Sequence, residues 1–168
     1  MPLARTVSLL LCIASLGAGP AISASPATEV IERLIGSWEG EGKLFGRPAR
    51  FSMSWSWTLG QQFVELRFEN RLVQEDGTEQ KVLEAVALYR VTDDGTLSGT
   101  WFDSRGQVVE LNAAATADTL STHWTADTEE GRTTYRVIDA DTVEVEDHVL
   151  GEEGWRAFGS AVYRKMDG

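Results

Sequence analysis

The sequence predicts an all-β domain: about ten antiparallel strands, joined up-and-down and closed into a barrel, behind one short helix. Three observations point there. From Ser37 onward, turn-forming residues recur at near-regular intervals: LGQQ from Leu59, EDGTE from Glu75, TDDG from Thr92, DSRG from Asp103, ADT from Ala117, TEEG from Thr128, DADT from Asp139 and GEEG from Gly151. The segments between them, about eight to ten residues each, are rich in Val, Thr, Trp, Tyr and Phe, and many alternate apolar with polar residues. None is long enough for a helical crossover, so hairpins join antiparallel neighbours.

Residues 1–27 differ from the rest. Arg5 precedes the apolar run Val7 to Leu16, and small residues and prolines continue through Ala27. This is the layout of a secretory signal peptide, with cleavage points after Ala21, Ala24 or Ala27. The apolar run, roughly ten residues, falls well short of the about 20 that a membrane-spanning helix needs. Cys12 lies inside the run, and Leu9, Leu10 and Leu11 so early in the chain make a poor lipoprotein signal. The expectation is a soluble exported protein, periplasmic or extracellular, with a single domain over 28–168.

Cleavage removes the only cysteine of the 168-residue chain, so the mature protein has neither disulfide nor thiolate chemistry. About 140 residues remain, enough to bury a core in one domain. The formal charge is −11, or −12 without Arg5. Such acidity repels nucleic acid and anionic membranes, so neither is an expected partner, and no membrane insertion is expected after signal cleavage.

The elements follow in order. In Ala27 to Gly36, Val30, Ile31, Leu34 and Ile35 recur at helical spacing and Gly36 ends the pattern. The strands are expected over 38–45, 49–58, 62–73, 80–91, 96–103, 107–115, 119–126, 132–138, 142–149 and 154–165. Kept flat, such a sheet would expose two long edges; closure removes them and leaves an interior that can hold a ligand. A two-sheet sandwich is the alternative.

One hairpin, FSMSWSWTLGQQFVELRFENR, shows the logic. Phe51, Met53, Trp55 and Trp57 share one face, which points inward, and Val64, Leu66 and Phe68 continue it on the partner strand. Glu65, Arg67, Glu69 and Arg71 then form a solvent-facing ladder of alternating charge.

The first strand reads GSWEGEGKLFG, and its Gly36-Ser37-Trp38 followed by Gly40 and Gly42 resembles the opening of the lipocalin-like, or calycin, barrels. With ten strands and the closing Tyr-Arg-Lys, it resembles more narrowly a group of small bacterial calycin-like domains distantly related to nitrobindin-type haem barrels. The resemblance implies that Trp38 plugs the closed end beneath a basic residue of the last strand, for which Arg164 is the candidate. It also implies a test for haem. Those barrels bind iron through a histidine near the start of the final strand, where this chain has Trp155, Arg156, Ala157 and Phe158, so haem is disfavoured and no cofactor is expected.

No recognised catalytic pattern appears: there is no Gly-x-Ser-x-Gly elbow and no phosphate-cradling glycine loop leading into a helix. The two histidines, His123 and His148, show no ligand-like spacing, and no metal site is expected. Most carboxylates fall in turns, Glu129, Glu130, Glu152 and Glu153 among them, while Glu39, Glu65, Glu84, Glu110 and Glu146 lie within strands. Any of these facing the lumen would have its pKa raised by burial and become a candidate for acid-base work.

All six tryptophans fall within predicted strands. Aromatic walls with a few polar anchors suit a small-molecule pocket. The cavity-lining candidates are Met53, Trp55, Trp57, Leu66, Phe68, Trp101, Trp124 and Tyr135, with Tyr89 and Tyr163 as further polar tips. The function expected is therefore binding of a small apolar or aromatic ligand. The alternatives are a filled barrel acting as an envelope interaction or structural protein and, less favoured, an enzyme using a lumen carboxylate or His123.

Overall fold

The computed structural model describes residues 25–92, 96–126 and 129–167. Apart from its last three residues, the expected signal segment lies outside them. The first element is helix α1 (Pro26–Leu34), which takes in Pro26 and Ala27 ahead of the expected domain start. Ser25 caps it, accepting a hydrogen bond from the Thr28 amide at 3.2 Å, and Pro26 occupies the first turn, where a missing N–H costs nothing.

Ten strands follow: β1 (Gly36–Leu44), β2 (Arg47–Thr58), β3 (Phe63–Val73), β4 (Glu79–Val91), β5 (Leu97–Asp103), β6 (Val108–Ala115), β7 (Thr119–Ala126), β8 (Glu129–Val137), β9 (Thr142–Gly151) and β10 (Gly154–Lys165). Each pairs antiparallel with its sequence neighbours, and β1 pairs with β10 to close the ring. Closure excludes the sandwich. The largest boundary shift is at β8, which Glu129 and Glu130, expected in a turn, open by pairing with Ala126 and Thr125.

The alternation sorts side chains as expected along the first hairpin. Phe51, Met53, Trp55, Val64 and Leu66 are buried. The charge ladder stands outside, where Arg67 pairs with Glu65 at 2.6 Å, Arg71 and Lys81 both reach Glu69, and Lys81 reaches Glu84 at 3.1 Å.

The two ends of the barrel differ. At one end α1 lies across β6, β7 and β8 with Ala27, Val30, Ile31 and Leu34 fully buried. Arg33 fastens it by donating to the Ala117 and Val137 carbonyls at 3.2 and 3.4 Å. Trp38 donates its indole N–H to the Leu34 carbonyl at 2.8 Å, meeting one of the acceptors a helix C-terminus leaves open. The other end is ringed by the β1–β2, β3–β4, β5–β6, β7–β8 and β9–β10 hairpins.

The resemblance placed a basic residue over Trp38. That residue is Lys165, whose ammonium lies 5.1 Å from the Trp38 ring centroid, and not Arg164. The reason is parity: Ala161, Tyr163 and Lys165 share the inner face of β10, whereas Arg164 faces outward and donates to Thr142 Oγ1.

Candidate functional site: the open half of the lumen

The unplugged end leads into a cavity of about 460 Å³. Its walls are two arcs of aromatic rings. One runs through Tyr163, Phe51, Phe68 and Trp101, with successive centroids 6.1, 6.4 and 5.8 Å apart. The other joins Phe45, Phe158 and Trp124 at 5.4 and 6.5 Å. Tyr89 and Tyr135 complete the lining and pack against Trp55, which stacks on Tyr89 at 5.7 Å and meets Tyr135 edge-on at 5.3 Å.

Two local features open this space. Gly131 lets the Trp124 ring lie flat over β8, since a Cβ there would come within 1.9 Å of the indole. On β10 the register with β9 shifts between Ala157 and Gly159, leaving Phe158 as the extra residue of a bulge that lines the cavity.

Opposite Gly159 stands Asp147. A Cβ on Gly159 would lie 2.7 Å from Asp147 Oδ2, so the glycine makes room for this carboxylate. Asp147 faces the lumen and accepts a hydrogen bond from the Thr133 hydroxyl at 2.7 Å. Burial pushes its pKa up; the Thr133 hydrogen bond and the neighbouring His148 offset this only in part. The residue is half-buried and meets the cavity, but protein surrounds its carboxylate, so burial governs its titration.

Burial also raises the lumen tyrosines, Tyr89 to about 12 and Tyr135 and Tyr163 well above their ordinary value, with the charge of Asp147 adding to the last two. Tyr89 shares a hydrogen bond with Thr122 at 3.4 Å. All three hydroxyls stay protonated at neutral pH and can donate or accept. Asn70, also lining the cavity and 5% exposed, has an Oδ1 with no hydrogen-bond partner among the described residues.

The rim is held differently. Asp103 accepts from the Trp101 indole at 3.2 Å and from the Arg105 guanidinium at 2.6 Å. Burial alone would raise its pKa, but the hydrogen bonds from Arg105 and Trp101 prevail and hold it below the ordinary carboxylate range. This fixes the Trp101 ring against the cavity.

Of the eight expected lining residues, Phe68, Trp101, Trp124 and Tyr135 line this cavity. Met53, Trp55 and Leu66 instead belong to the packed core toward α1, and Trp57 sits at the helix, donating to Glu32 Oε1 at 2.8 Å. The β2 stripe descends from the mouth, so only its first member, Phe51, reaches the open half. None of the mid-strand glutamates named above lines the cavity. His123 is exposed on the outer wall, its ring 6.1 Å from that of Trp155, and cannot act in the lumen.

The barrel is similar to that in the crystal structure of Rv2717c from M. tuberculosis, with 16% sequence identity, a TM-score of 0.62, and coverage of 86% of this chain and 100% of that one. What the likeness shows is the barrel. The structure of EF1p2_mFAP2b bound to DFHBI aligns with 84% of this chain and 99% of its own at 10% identity, with a TM-score of 0.47, too low to carry an argument. No family model matches the chain, and no curated protein matches its sequence.

Proposed function

We propose that this chain is an exported barrel that binds a small, largely aromatic ligand in the open half of its lumen. The carrying observation is the cavity itself: about 460 Å³, walled by stacked and tilted rings, with a few polar groups set among them. Ligand sites usually have about 300–1,000 Å³, an apolar lining and a small number of oriented polar atoms. A barrel filled by its own side chains would leave no such space, and here only the half nearest α1 is filled.

Export is supported by the layout of residues 1–27 in the sequence. The calycin-like pattern of Gly36, Trp38, Gly40 and Gly42 supports placing the chain near the small bacterial barrels it resembles. That the described lining has no histidine, cysteine or methionine, and that burial keeps its tyrosines protonated, supports the expectation that haem is disfavoured.

The test is titration of the purified protein with neutral aromatic probes, indole and 2-naphthol, followed by intrinsic tryptophan fluorescence. Saturable binding that weakens at least tenfold in Trp101→Ala or Trp124→Ala supports the reading. Absence of a saturable change with either probe overturns it.

A further inference from the structure

Among the polar groups that line the lumen, two acceptors have hydrogen-bonding capacity that the described residues leave unmet. The first is Asp147. An ionised carboxylate offers about four lone-pair sites, and Thr133 occupies one. Among the described residues no lysine or arginine comes within ion-pair distance of it. Of the two arginines at the rim, Arg105 is bound to Asp103, and Arg156 is exposed. The second acceptor is Asn70 Oδ1, buried and without a partner.

Their placement is complementary to one kind of molecule. Asn70 is on β3 and Asp147 on β9, with β2, β1 and β10 between them in the ring, so they face the lumen from well-separated walls. On the strands between them stand Tyr163 and Phe51, with Phe68 beside Asn70 on β3. Aromatic faces attract cations, and a buried carboxylate without a counter-ion is stabilised most by a positive charge that brings its own donors.

We propose that the ligand is a small aromatic amine, its protonated nitrogen against Asp147 and a second hydrogen-bond donor, such as a phenol hydroxyl or indole N–H, against Asn70. This rests on the reading of the lumen as a ligand site. The rings supply the slot for the aromatic body, and the net charge, −11 for the whole chain and −12 without Arg5, favours the approach of a cation. An anionic analogue would meet Asp147 in the lumen and Glu129 at the rim, where Arg156 is the cation without an ion pair among the described residues.

The groups that face Asp147 fix the pH behaviour. Thr133 and Tyr135 approach from β8, Tyr163 and Gly159 from β10, Glu129 and Arg156 from the rim, and His148 follows it on β9 pointing outward. Burial raises the Asp147 pKa, so amine affinity increases as pH rises through that value and the carboxylate ionises. It falls again only when the amine itself loses its proton, at about pH 10.

The experiment is calorimetric titration of the full mature chain with tryptamine, indole and indole-3-acetate, which share one ring system and differ in charge. The expected result is tryptamine at least tenfold tighter than indole, with indole-3-acetate weakest. In Asp147→Asn the tenfold advantage disappears while indole binding persists. Tyramine is expected to bind a few-fold tighter than phenethylamine, a difference lost in Asn70→Ala. The comparison among ligands on the unmutated protein needs no variant to fold. Indole and tryptamine binding equally, or indole-3-acetate binding most tightly, would overturn the amine assignment and leave the ligand site standing. Failure of indole and tryptamine alike to bind would overturn both.

Discussion

The two halves of this barrel are made by the same strands and end differently. Toward α1, Trp38, Trp55, Leu97, Leu120 and Val143 are almost wholly buried, and the helix covers them. Toward the hairpins, Phe68, Trp101, Trp124 and Phe158 stay partly exposed, and Asp147, Asn70 and Thr133 sit among them. Strand parity chooses which side chains enter a barrel. What meets them at the end of the lumen decides whether they become core or binding surface.

The sharpest way to break this comparison is to remove one large ring from each half. Trp55→Ala leaves a hole in a region with no room to collapse and is expected to cost about 3–5 kcal/mol, read by urea denaturation. Ile31→Ala, on the fully buried face of α1, comes next at about 2–5 kcal/mol, because the helix holds its end of the barrel shut through that face. Trp101→Ala is expected to cost less than either, below about 2 kcal/mol, since one side of its ring already meets empty space. Equal losses at Trp55 and Trp101 would mean that the mouth is packed as tightly as the base.

Much of this was legible in the sequence, and the errors share a cause. Turn spacing and alternation were sufficient for the ten strands, the inward stripe of β2 and β3, and the outward ladder from Glu65 to Arg71. Applied with equal strictness, the same alternation would have found the lumen's polar groups. Asp147 stands in step with Val143, Val145 and Val149, and Asn70 with Val64, Leu66 and Phe68, so each interrupts an inward apolar row. The mid-strand glutamates, by contrast, are out of step with such rows. The same parity separates Lys165, in step with Ala161 and Tyr163, from Arg164, which is one residue out of step. Depth along the barrel was not legible, because period two says which face a residue is on and nothing about how far it lies from the helix. Nor was the bulge at Phe158, which depends on the mismatch between β9 and β10.

The mildest probe sharpens the comparison by charge, without removing any packed ring. Asp147 has its pKa raised by burial, so the folded state holds that proton more tightly than the unfolded chain does. Its contribution to stability is complete below the unfolded value near 3.8 and is lost as pH rises through the raised folded value. Asp103 at the rim has a lowered pKa and acts in the opposite sense: its contribution is present above the unfolded value and is lost as pH falls through the folded one. Asp147→Asn keeps an acceptor for Thr133 and deletes the buried charge, so it should raise the melting temperature at pH 7, with the gain shrinking toward zero below about pH 4. Asp103→Asn should lower the melting temperature at pH 7 and lose that effect in acid. Thermal melts of both variants across this range decide the matter. If Asp147→Asn destabilises by the same amount at every pH, its carboxylate is not the unpaired, buried charge on which the reading of the open half depends.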